Sequence, residues 1–402
     1  MLTILWEDIM FRKINIILLF TTMLCIITSC GQAKGIDGIT ANVDTRQESP
    51  GLEEDAHIEK EGEEENKNDT DETNSDIELE DKIGESRETE KPDLDLKAMG
   101  VNELGKIMIL MYHDIAAKED TWVRTPENLR KDLKVLYDKG YRAISLKDYI
   151  NGNINTPAGT TPVVLTFDDG TKGQFNVLDD QGDFTVDPNC AVGILEEFYS
   201  QYPDFGLEAT FFIYYPNPFG QKSLVEKKLK YITDRGMDIG NHSYNHDNLK
   251  KDMKTKKARD AAFIQESLAK HVIATNEILP GYEVDSLALP YGEKPQGDLY
   301  QYVVKGAYQG VEYHHKAVLL VGSNPALSPY HIDLDFANIP RIRASELETY
   351  NTGLYDWLDY FDKHPEERFI SDGNSDTISF PKELEGELNA DIVKGKIIQA
   401  YE

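Results

Sequence analysis

The apolar run from Pro162 to Phe167, closed by Asp168, Asp169 and Gly170, constrains this chain more than any other segment. It reads as a buried strand. The two adjacent carboxylates sit where the strand ends, and neighbouring side chains there can serve different tasks. Further on, His242 and His246 are four apart in His242-Ser243-Tyr244-Asn245-His246. On a helical turn that spacing puts both imidazoles on one face. One carboxylate with two imidazoles makes a three-ligand site for a metal such as zinc, with a fourth position left for water. The other carboxylate is then free to take that water's proton. Those parts suffice for metal-assisted hydrolysis.

The surrounding periodicity supplies a scaffold. Ile107–Met111, Tyr141–Leu146, Pro162–Phe167, Ala209–Tyr214, Met237–Gly240, Ser286–Leu289 and Ala317–Val321 read as strands. Between them, Leu129, Leu133 and Leu136 recur at helical spacing, as do Val225, Leu229 and Ile232, and Ile264, Leu268 and Val272. A further helix is expected from Val192 to Tyr199, after a polar excursion from Thr171 to Asn189. Strands alternating with helices imply a parallel sheet with crossover connections. The carboxylates and histidines fall at strand ends, where α/β barrels assemble their sites. The fold class expected is therefore an α/β barrel.

The segments Thr166-Phe167-Asp168-Asp169-Gly170 and His242–His246 resemble the first two motifs of the NodB-type polysaccharide deacetylases, metal-dependent carbohydrate esterases of family four. Met111-Tyr112-His113-Asp114, Ala209–Ile213, Gly240-Asn241-His242 and Leu289-Pro290-Tyr291-Gly292 resemble further parts of that family, over roughly Ile107 to Arg343. The resemblance implies a distorted (β/α) barrel. It also implies Asp169, His242 and His246 as ligands of one divalent metal ion, zinc first, with cobalt, nickel or manganese as alternatives. Asp168 would be the general base, and the backbone N–H of Tyr291, beside Pro290, a donor to the oxyanion. Ser243 and Asn245 are expected to orient the turn. Two positions depart from the family pattern. Ala288 stands where an arginine usually orients the catalytic aspartate, and the usual Leu-x-His near the C-terminus is missing. Arg341 or Arg343 could replace the cation, and His314, His315 or His331 the acid. His113 reads as packing beside the site.

The expected activity is removal of N-acetyl groups from a GlcNAc-containing cell-wall or extracellular polysaccharide. An O-acetyl esterase acting on a xylan-like glycan and a weakly catalytic glycan-binding protein are the alternatives.

The front of the chain reads differently. Arg12 and Lys13 precede an apolar run, Ile14 to Thr28, shorter than a bilayer-spanning helix needs. With Ile27-Thr28-Ser29-Cys30 after it, residues 1–30 read as an export signal ending in a lipobox, so Cys30 would carry lipid and anchor the protein to the outer face of the cell membrane. Glu7 and Asp8 are unusual for a signal, and Met10 is an alternative start. Residues 31–102 read as a tether: residues 31–100 hold 23 acidic and 8 basic side chains and no Phe, Trp or Tyr. Such a stretch cannot bury enough surface to offset its ordering entropy. It carries half of the chain's net charge of −30, and that acidic balance excludes a basic nucleic-acid face. Residues 103–345 would form the barrel and 346–402 an extension packed on it or a small appendage. Cys190 is the one thiol left outside the signal and lipobox, and reads as a small packed residue.

Overall fold

A computed structural model describes residues 94–180, 183–393 and 395–402. The expected signal, Cys30 and most of the tether lie outside the described residues. The last stretch assigned to the tether is a correction to that reading. Leu96–Met99 form a helical turn capped by Asp95, and Leu96, Val101 and Asn102 are buried. Two apolar side chains spaced around Gly100 are enough to dock this segment on the fold.

Eight strands build the main sheet: β1 (Met108–Tyr112), β2 (Tyr141–Ile144), β3 (Thr161–Asp168), β4 (Thr210–Ile213), β5 (Asp238–Asn241), β6 (Ser286–Ala288), β7 (Ala317–Leu319) and β8 (Ile342–Arg343). All pairings are parallel, in the order β7-β6-β5-β4-β3-β1-β8, with β2 also on β3. The sheet curls into a half-barrel. Its ends are linked through residues 339–343, where Ile339 bridges Leu319 of β7 and Ile342 pairs with Leu110 of β1. Helices α1 (Pro126–Asp138), α2 (Leu146–Asn151), α3 (Ala191–Gln201), α4 (Val225–Asp234), α5 (Ala261–Ile278) and α6 (Leu354–Lys363) make the connections and the outer layer. Thr125 caps α1 by accepting from the Asn128 N–H, with Pro126 in the first turn. Among the described residues no helix is long and apolar enough to cross a membrane.

Strand β3 is buried along its whole length, which explains its nearly unbroken apolar sequence. Its alternation divides the core. Val163, Leu165 and Phe167 pack outward with Leu129, Leu133 and Leu136 of α1. Val164 faces an interior cluster with Ile109, Phe212, Ala288, Leu319 and Ile339. The same parity carries Thr166 and Asp168 inward. Helix α6 puts Leu354, Leu358 and Phe361 into the outer cluster, and Phe369, Ile378 and Phe380 join the inner one. The C-terminal extension is thus part of the core.

That extension is also tied to Glu103. The Ser371 hydroxyl and the Asp372 and Ser379 N–H groups donate to its buried carboxyl. Burial, with the charge of Asp372 added, pushes Glu103 up from 4.5 to about 8. Between those values the folded chain keeps a proton that the unfolded chain has released. Stability is therefore full below about 4.5 and falls as pH rises through about 8. Melting temperature is expected to drop over this window, and Glu103→Gln to flatten the slope. Equal slopes in thermal melts of the two proteins would contradict the assignment.

Candidate active site

Asp168 is the last residue of β3 and Asp169 the first beyond it, with a left-handed φ of 79°. That turn redirects Asp169 away from its alternating place and toward the histidines. Asp169 Oδ1 lies 3.3 Å from His242 Nε2 and 3.3 Å from His246 Nε2. The histidines do not share a helical turn, which corrects the sequence reading. They lie on a loop after β5 in which Ser243 and His246 have φ of 59° and 54°. Two left-handed residues fold the chain back and bring the rings to 4.9 Å.

Asn241 sets the loop. Its Oδ1 accepts from the Ser243 N–H, and its amide donates to Leu268 O and His315 Nε2. His315 Nδ1 in turn donates to Val303 O. His315 is therefore a buried support for this loop, and burial holds it down to about 4, in the neutral form. His331 meets Glu387 and His314 lies on an outer ribbon, so none of the three expected acid candidates reaches the carboxylates. Each is held elsewhere by its own partners or strand.

His242 Nδ1 lies 2.8 Å from Ala288 O, a pure acceptor, so that nitrogen carries the hydrogen and Nε2 presents its lone pair. Burial and the neighbouring His242 hold His246 down to about 4, leaving it neutral. Three electron-rich atoms thus converge, and Asp169 Oδ1 is buried with no hydrogen-bond partner. Such a cluster is unfavourable until a cation enters. Tetrahedral zinc with bonds of about 2.1 Å would place neighbouring ligands roughly 3.4 Å apart, close to the spacing present. The residues fit a divalent ion. Burial raises Asp169, but the nearness of His242, with His113 and His246, outweighs it and brings the carboxyl to about 2.

Asp168 has a different partner. Arg341, fully buried, donates Nη1 and Nη2 to its two oxygens, both at 2.7 Å. The guanidinium also donates to Thr166 Oγ1 and Leu320 O. Burial alone would raise Asp168; the charge and hydrogen bonds of Arg341 overcome it and hold the carboxyl below its usual range. Arg341 thus occupies the role left open at Ala288, whose side chain is core. Arg343, two residues on, points the other way, toward Leu347 O and Glu348 O.

One residue read as packing stands within the site. His113 extends the inward series Ile109, Met111 of β1, and its buried Nδ1 has no partner. Burial lowers its pKa, while the facing charges of Asp168 and Asp169 act against that. Gln174 holds the place by donating to the carbonyls of His113 and Asp168. The inward parity from Ile109 through His113 was the signal available in the sequence. Tyr291, with φ of 60°, sets its ring centroid 4.5 Å from that of His246 at a tilt of 44°, and Pro290 is buried in the same turn.

Residues 155–305 match the family model described as polysaccharide deacetylase. The match covers this stretch and not the whole chain. The deacetylase match ends before Arg341 and begins after His113, so both lie outside it. Among solved structures, the chain is similar to the Streptococcus pyogenes deacetylase PplD in complex with acetate. The two share 18% identity at a TM-score of 0.45, over 63% of this chain and 97% of that one. It is also similar to a polysaccharide deacetylase from Bacillus cereus, at 17% identity and TM-score 0.43, over 63% of this chain and 68% of that one. IcaB from Ammonifex degensii gives 17% identity and TM-score 0.43, covering 60% and 93%. A search of curated proteins finds no match to this sequence.

Proposed function

We propose that this deacetylase hydrolyses N-acetyl groups on a GlcNAc-containing cell-wall or extracellular polysaccharide, with one divalent ion, zinc first, held by Asp169, His242 and His246. The observation that carries the reading is the division of labour between adjacent carboxylates. Asp169 converges with two imidazoles, while Asp168 is clamped by Arg341 outside that set.

A divalent ion bound there would polarise the acyl oxygen and acidify a water. Asp168 accepts the proton that the attacking water loses; each of its oxygens keeps a lone pair beyond those used by Arg341. The peptide N–H of Tyr291 donates to the oxyanion as the carbonyl becomes tetrahedral. His113 then relays the proton taken by Asp168 to the departing nitrogen, the step an amide needs most. The nitrogen leaves as the amine and the acyl group as acetate. Arg341 and His113 supply what Ala288 and the missing Leu-x-His had left open, and so favour the amide over the ester reading.

An acetate-release screen over chitin oligomers, peptidoglycan and acetylxylan tests the proposal. Acetate from the first two supports it. Release from acetylxylan alone favours the esterase, and release from none favours a binding protein. His113→Ala is expected to slow amide hydrolysis about 10²–10⁴-fold with metal content unchanged. An unchanged rate in the same assay would remove His113 from the mechanism.

We also propose that the enzyme works outside the cytoplasm, held to the membrane through lipidated Cys30. Cys30→Ala would then move it from the membrane fraction into the supernatant.

A further inference from the structure

We infer that a groove beside the metal-binding cluster, walled by Trp122 and Tyr350, is a subsite for the sugar residue next to the one deacetylated. This rests on the glycan reading above and adds the residues that read chain length.

The groove has a volume of about 190 Å³ and is lined by Met111, Trp122, Val321, Arg343, Glu348 and Tyr350, among others. Both walls connect to residues of the site. The Trp122 ring lies 4.7 Å from the His113 ring. On the other side Val321 presses on the Tyr291 turn, since a Cβ at Gly292 would lie 2.8 Å from its Cβ. Met111 forms the floor, in register with Thr166 two residues before Asp168. A chain of sugars seated with its acetamide at the metal cluster would pass through this space.

The lining suits a pyranose ring, which has apolar C–H faces and a hydroxyl rim. Trp122 is 45% exposed and Tyr350 85% exposed. Trp122 packs on His113 and Arg343, so its remaining exposed face, like that of Tyr350, is open to a ring arriving from solvent. The loop that presents Tyr350 is strained: Glu348, Tyr350 and Asn351 have φ of 50°, 52° and 65°. Non-glycine residues in that region persist only when neighbours hold them. Here Arg343 does so, donating to Leu347 O and Glu348 O while its guanidinium sits 5.1 Å from the Trp122 ring centroid. Thr121 Oγ1 donates to the Glu348 carboxylate across the groove, so one tie joins both walls. Arg343 and Glu348 offer hydrogen-bonding groups to the hydroxyl rim.

The test measures acetate release from N-acetylglucosamine oligomers of increasing length by the full chain and by Tyr350→Ala. This exposed ring can be removed without touching the core. KM for the longer oligomers should rise about tenfold, the size of one stacked ring. Both kcat and the rate on the shortest substrate should be unchanged. An equal KM at every length overturns the inference while leaving the deacetylase reading intact. If no glycan yields acetate, that reading fails, and tryptophan emission then decides the groove by itself. Quenching by the oligomers that Trp122→Phe abolishes upholds the subsite; no quenching overturns it.

Discussion

Asp169→Asn is expected to strip the protein of its metal and lower acetate release at least about a thousandfold, the loss of several kcal/mol of charge stabilisation. Asn is the informative replacement. It keeps the size of the side chain and tolerates the φ of 79° better than most residues. What it removes is the anion whose Oδ1 lies 3.3 Å from both imidazoles. His242→Ala should behave alike, and more severely than a change at Ser243, whose hydroxyl accepts from the Asp247 N–H within the loop. Elemental analysis of purified proteins checks the metal, and an acetate assay the rate. Full metal content in Asp169→Asn would remove that carboxylate from the ligand set.

The second large effect is expected at Arg341. It is fully buried, and its guanidinium holds Asp168 by both oxygens. Arg341→Met leaves a buried carboxylate without its cation, a change that costs about 3–5 kcal/mol of stability. The rate should fall as well, by about 10²-fold, because Asp168 is no longer fixed against its target. Arg341→Lys should recover part of the stability but not the fork geometry. In denaturant melts, Asp168→Asn combined with Arg341→Met should be less unstable than the sum of the two single changes. Additive losses would mean that the pair is not coupled.

Seven of the eight strands of the main sheet were legible as short runs and α1, α4 and α5 as helical repeats, whereas the two-residue β8 (Ile342–Arg343) carries no such run. The predicted strand Pro162–Phe167 differs from β3 by one residue at either end, and the helical spacing of Ile264, Leu268 and Val272 falls inside α5 (Ala261–Ile278). Helix α2 escapes the sequence reading because its first residue, Leu146, continues the strand pattern from Tyr141, although Ser145 caps the helix there. The ribbon of Val177–Asp180 and Asp183–Val186 lay hidden in the polar excursion, and no residue of its second strand is buried. At the site, the residue types of Asp168, Asp169, His242 and His246 were legible, but the local geometry was not. A spacing of four fits one helical turn, and it fits a loop with left-handed Ser243 and His246 equally well. Arg341 could be separated from Arg343 only by knowing which side of the barrel each faces. For His113 the parity from Ile109 was legible, but not that Asp168 faces the same interior. Such facts belong to the closed sheet, where distant strands meet, and local periodicity does not encode them.

The most direct test is the metal stoichiometry of Asp168→Asn, measured beside its acetate release. The account predicts one equivalent of bound divalent ion per chain with hydrolysis reduced to background. Loss of the ion, or hydrolysis at the unsubstituted rate, would contradict it.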